Sequence, residues 1–137
     1  MSESEGLPPV DSNEWLARFV HYQRYIRQDR TVRPDAFIPH PYRELSVTRH
    51  LQLSDTEIWK LGGTVALQTG RPLYGRADVQ ALVFLQRELQ VVADPILENP
   101  NHAIVTGWPG DKPAQKIIAQ QIAAAVINVL ESPSKLV

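Results

Sequence analysis

Seven arginines, Arg18, Arg24, Arg27, Arg30, Arg33, Arg43 and Arg49, stand within residues 18–50 against only Asp29, Asp35 and Glu44. That is a local balance of +4 in a chain whose net charge is −1, so the remainder is acidic. No lysine falls in this stretch. The distinction matters, because a guanidinium grips a carboxylate or phosphate through a planar, two-pronged fork that an ammonium lacks. Tyr22, Tyr25 and Tyr42 are interleaved with the arginines, and Arg and Tyr are the side chains that dominate protein-interface energetics. Aromatic rings beside Arg also suit base stacking, but a sequence pI of about 6.4 is unlike the basic balance of nucleic-acid-binding domains. The bland alternative is a solvated face whose Arg stems lie over the core. The stretch therefore points to an acidic patch on a protein partner, with Tyr25, Arg27, Arg30, Arg33, Tyr42 and Arg43 as the contacts.

A second constellation is the turn Gly107-Trp108-Pro109-Gly110-Asp111-Lys112, with Lys116 one helical turn on. Free backbone N–H groups at a helix start favour an anion, which makes Gly107, Trp108, Gly110, Lys112 and Lys116 a candidate anion turn. The P-loop spacing is absent, Pro113 removes one donor, and Asp111 is suited to cap the helix itself. A third grouping is Arg49-His50, Arg76 and His102, Arg and His near strand ends, where a diphosphate is gripped and a proton moved in enzymes that handle such ligands. His102 is the acid–base candidate of that set. His21, His40, His50 and His102 show no His-x-x-x-His spacing, so no metal is expected. Zero cysteines exclude a disulfide scaffold, a thiol nucleophile and cysteine-ligated zinc or iron–sulfur. No serine sits in a nucleophile elbow, no cofactor motif is present, and the carboxylates are spread singly. The balance leans away from an enzyme.

These residues need a frame. With 137 residues, 43% hydrophobic and 21% charged, the chain has the size and composition of one globular domain. Residues 1–10 read as a tail, 11–133 as the domain and 134–137 as a second tail. Asp11 with Glu14 has capping-box spacing, and Trp15, Phe19, Tyr22 and Ile26 follow at i, i+4, i+7 and i+11, which predicts a helix over about residues 13–28 with Trp15 in the core. The alternation of residues 44–49 predicts a strand. Ser54-Asp55-Thr56-Glu57 predicts a helix ended by Gly62-Gly63, with a strand over 64–67. Asp78 reads as the cap of a helix carrying Val79 to Leu89. Val91-Val92 then reads as a strand, His102–Thr106 as the central strand, and a long last helix runs from Asp111 to Pro133. The expectation is α+β: a single compact domain, its three- or four-stranded sheet packed by an N-terminal helix, a middle helix and a long C-terminal helix.

No apolar run reaches the roughly 18 residues of a membrane helix, and the acidic, polar start is unlike a secretory leader; a cytoplasmic protein away from the membrane is the expectation. The segments Val32–Phe37, Glu44–Arg49 and Leu53–Trp59, together with Asn101–Lys112 and Gln115-Lys116, resemble a family of small bacterial proteins of uncharacterised function. The resemblance implies a bacterial accessory protein and carries no activity, cofactor or site residue. Function then reads as a non-catalytic protein-interaction module, accessory or regulatory, acting through the Arg/Tyr segment. The alternative is a small enzyme or receptor for a nucleotide-like or other anionic ligand, using Arg49, His50, Arg76 and His102.

Overall fold

The computed structural model describes residues 7–39, 43–126 and 129–133. Six strands form one antiparallel sheet: β1 (Trp15–Val20), β2 (Leu45–Arg49), β3 (Gly75–Gln80), β4 (Gln90–Ala93), β5 (His102–Thr106) and β6 (Val129–Glu131). Their order is β4-β5-β2-β1-β3-β6. Three helices accompany them: α1 (Asp55–Thr69), α2 (Ala81–Leu85) and α3 (Lys112–Ala125). The fold is α+β, but the sheet has six strands and not three or four, because two segments expected to be helical pair as strands and a third strand follows α3.

The first of these is β1. The predicted N-terminal helix over 13–28 does not form. Trp15 to Val20 is instead a strand inside the sheet, paired with β2 on one side and along its whole length with β3 on the other. Its burial explains the ambiguity. Leu16 and Val20 are buried on one face, Ala17 and Phe19 on the other. Residues i and i+4 share a face in a strand as well as in a helix, so Trp15 with Phe19 does not discriminate between them. The Asp11/Glu14 pair makes half of a capping box, Asp11 N–H donating to Glu14 Oε2 at 3.1 Å, while Glu14 N–H goes to the Asp11 backbone carbonyl at 3.0 Å and the Asp11 carboxylate accepts from Asn13 N–H. It closes a single turn that feeds the strand. Trp15, at the strand's first position, is 47% exposed and not a core residue.

β3 likewise replaces the start of the helix expected from Asp78; α2 begins only at Ala81, and Gln80 gives it no side-chain cap. Helix α1 starts where the capping box places it, Ser54 Oγ accepting from Glu57 N–H. It runs through Gly62-Gly63 and the expected strand 64–67, and ends at Gly70, whose φ of 68° supplies the left-handed cap. Helix α3 begins at the Asp111 cap and stops at Ala125, short of Pro133, and Val129–Glu131 adds to the sheet beside β3. His102–Thr106 is second from the edge, not central.

Registers assign the two faces. Leu16, Val47, Leu45, Ala77, Val79, Ala103 and Val105 form one face, packed under α2, α3 and Phe37 in the main core. Ala17 and Phe19 form part of the other, packed by Ile58 of α1. Among the described residues no helix is long and apolar enough to cross a membrane.

Candidate functional site

Just past the end of β1, four segments meet around a cavity of about 300 Å³. Its polar walls are Arg18, His21, Tyr22, Tyr25, Asp35 and Arg71, over an apolar floor of Phe19, Ala36 and Ile38. Each segment is held there by a local rule. Residues 23–25 form one 3₁₀ turn, Tyr25 N–H bonding the Tyr22 carbonyl at 3.0 Å. A 3₁₀ turn eclipses i and i+3, so Tyr22 and Tyr25 stand together with ring centroids 5.0 Å apart. Arg24 lies against both rings, 5.3 and 5.4 Å from their centroids. Residues 34–37 form a second 3₁₀ turn, opened by Pro34 and anchored by buried Ala36 and Phe37. Behind them, the left-handed cap at Gly70 turns the chain so that Arg71 reaches the Tyr22 ring, 5.9 Å away.

The charges in this cavity are unbalanced. Arg18 donates Nε to the Ala36 carbonyl at 2.7 Å and Nη1 to the Ser46 carbonyl at 3.0 Å. No carboxylate among the described residues meets it; burial pushes its pKa down to about 10, which still leaves it charged at neutral pH. Arg24 and Arg71 make ring contacts and no ion pair among the described residues. Asp35, the carboxylate lining the cavity among the described residues, already has Arg33 Nε at 3.9 Å. His21 Nδ1 donates to the Pro72 carbonyl at 3.1 Å, a bond that assigns the tautomer, since a carbonyl only accepts. Burial holds its pKa below the ordinary histidine value; the Pro72 bond opposes this, and the Arg18 and Arg71 guanidiniums add to it. The ring is therefore neutral near pH 7, with Nε2 left as an acceptor.

Of the five expected contacts that lie among the described residues, Tyr25 lines this cavity and the other four do not. Arg27 closes its own turn, donating Nη1 to Thr31 Oγ1 and the Val32 carbonyl, both at 3.3 Å. Arg30 has φ 66° and stands 3.9 Å from Glu131. Arg33 pairs with Asp35 at the rim, Arg43 lies beside Gly110 on the surface, and Tyr42 lies outside the described residues. Sequence reasoning missed His21 and Arg71 as site members. For Arg71 no local signal exists, since it arrives from the far end of α1.

Arg49, His50, Arg76 and His102 do not share one site. Arg49 is on the main-core face, where Glu14 takes its Nε and Nη2, the latter at 3.0 Å. Arg76 is on the opposite face, its register partner being Phe19. Asp78 bridges Arg76 (Nε 3.2 Å) and His50 (Nε2 3.0 Å). Asp55 accepts Arg76 Nη2 at 2.6 Å, and the Trp59 ring centroid lies 4.8 Å from the guanidinium. The guanidinium holds the Asp55 carboxyl below its ordinary value. His102 Nδ1 is satisfied by Asp94, its carbonyl at 2.9 Å and Oδ2 at 3.1 Å.

In the Gly107–Lys112 turn, Gly107 takes φ 93° and buried Trp108 bonds the Val105 carbonyl through Nε1 at 3.0 Å. Asp111 Oδ2 accepts from Ala114 N–H at 3.3 Å, so a carboxylate already faces the donors an anion would use, while Gly110, Lys112 and Lys116 are exposed. Among the described residues no group of three His, Cys, Asp or Glu side chains could hold a metal ion.

Comparison with protein-family models, with curated proteins and with solved structures gives no match.

Proposed function

We propose that this chain is a non-catalytic interaction module that receives an acidic group of a protein partner in the cavity beyond β1. The observation that carries this reading is the convergence of Arg18 and Arg71, without carboxylate partners among the described residues, on a hollow walled by Tyr22 and Tyr25, with Arg24 against both rings. A structural Arg cluster is normally neutralised by its own acids, because uncompensated like charge is costly. Here the compensation is left to a visitor. Tyr and Arg supply the contact area and the fork that such a visitor needs, and Arg33, 3.9 Å from the lining residue Asp35, adds positive charge at the rim that helps steer an acidic partner.

The test is capture of partners from the native cytosol by the tagged chain after RNase treatment, with Arg71→Glu and the rim variant Arg33→Glu in parallel. The expected result is a stoichiometric protein lost with Arg71→Glu and weakened with Arg33→Glu, while thermal melts match the parent. A partner held equally well by Arg71→Glu overturns the assignment of the cavity.

A further inference from the structure

Building on that reading, we infer that the cavity selects a phosphate monoester carried on a flat ring, such as a phosphorylated tyrosine side chain, over a carboxylate.

Charge is the first argument. The hollow is lined by the guanidiniums of Arg18 and Arg71, with Arg24 against its tyrosine rings, while Asp35, the carboxylate lining it among the described residues, already has Arg33 at 3.9 Å. A carboxylate returns one unit of charge, whereas a phosphate monoester brings about −1.5 to −2 near pH 7. Donor geometry is the second. Arg18 has spent Nε and Nη1 on backbone carbonyls, which leaves Nη2. Arg71 keeps its whole fork, and His21 keeps Nε2. These three come from the strand end of β1, the residue just beyond it and the turn after α1. Three separate nitrogens suit three terminal oxygens better than the two of a planar carboxylate.

His21 supplies the third argument. Its neighbours are Arg18, Arg71, Tyr22, Tyr25 and Asp35, with the Pro72 carbonyl fixing Nδ1. Burial, with the Arg18 and Arg71 guanidiniums adding to it, holds the His21 pKa below the ordinary histidine value. A dianion seated between those guanidiniums reverses the local field, and Nε2 then takes a proton and becomes a donor to the third oxygen. From a monoanionic ester the proton on its P–O–H passes to Nε2, leaving dianion and imidazolium. From a dianion the proton comes from solvent. No covalent bond to phosphorus changes.

The ring follows from size and walls. A cavity of about 300 Å³ lies at the small end of ordinary ligand sites, and Tyr22 and Tyr25 among its walls add aromatic surface, beside their guanidinium contacts, for one more flat ring.

The experiment titrates the whole chain with phenyl phosphate, benzoate and inorganic phosphate, following the His21 imidazole resonances by NMR across pH. Phenyl phosphate should bind about tenfold or more tightly than benzoate, should raise the His21 titration midpoint, and should lose binding in both Arg71→Glu and the milder Arg71→Gln. Because Arg71 is exposed, neither variant should alter the melt. Equal affinity for benzoate, or an unmoved His21 midpoint at saturation, overturns the inference. A second arm compares a phosphotyrosyl peptide with a nucleoside monophosphate. Tighter peptide binding supports the side-chain source, and tighter nucleotide binding overturns it. If capture of a partner still depends on Arg71 while phenyl phosphate has no effect, only the present inference fails and the interaction reading stands.

Discussion

Three arginines show how one residue type is put to different uses by its surroundings. Arg18 spends two of its five N–H donors on backbone carbonyls and lines the cavity. Arg76 is paired with two acids, Asp55 and Asp78, and lies on Trp59. Arg49 is fully buried and depends on Glu14, itself only 8% exposed. Removing one partner of such a pair strands the other charge in the interior. Glu14→Gln should therefore lower the unfolding free energy by about 3–5 kcal/mol, read from urea denaturation. The double variant Glu14→Leu/Arg49→Met should recover much of that loss, because the buried charge goes with its partner. If Glu14→Gln loses under about 1 kcal/mol, as an exposed pair does, then Arg49 is compensated from elsewhere.

At the scale of elements, the adjacent glycines of α1 separate propensity from packing. A Cβ on Gly62 would lie 2.7 Å from Cε1 of Phe19, whereas one on Gly63 would meet nothing within 4 Å. The close approach of α1 to β1 therefore requires glycine at one position and merely tolerates it at the next. Gly62→Ala should destabilise by about 1–3 kcal/mol through overpacking against the Phe19 ring. Gly63→Ala should stabilise by about 0.5–1 kcal/mol through helix propensity alone. The melting temperatures of the two variants should shift in opposite directions. The same pair shows why the end of α1 was misread: a Gly-Gly step is an ordinary helix terminus by itself, and only the strand behind it shows what its missing side chain is for.

For the whole molecule, the shifted groups set a two-stage response to acid. The His21 pKa is below 6.5 in the fold, so as the pH falls under 6.5 the unfolded chain takes up that proton first and stability declines until the folded value is passed. Asp29, Asp55 and Glu57 are also held below their ordinary values of 3.8, 3.8 and 4.5, Asp29 by its Thr31 bonds, Asp55 by Arg76 and Glu57 by the Ser54 cap. Their stabilising contribution is present above those values and is lost as the pH falls through the folded ones. Melting temperature should therefore drop in two steps. His21→Gln should remove the upper step and leave the lower, and an unchanged upper step would mean that another histidine produces it.

Much of the chain was legible where hydrogen bonding is local. Ser54 and Asp111 start helices because a side-chain oxygen bonds an N–H three residues on, and residues 45–49 and 102–106 alternate as strands must. Trp108 anchors its turn, as its place between a buried strand and a helix start implies. β1 was illegible because six apolar-rich residues fit either period, and the choice was made by β2 and β3, which supply its hydrogen bonds from far along the chain. Arg49 and Arg76 parted company through strand parity: one residue of register decides which side of a sheet a charge occupies. The cavity itself has no sequence signature. His21 bonds the Pro72 carbonyl across 51 residues of chain, and a site assembled from a strand end, two 3₁₀ turns and a helix cap exists only once the sheet has brought their ends together.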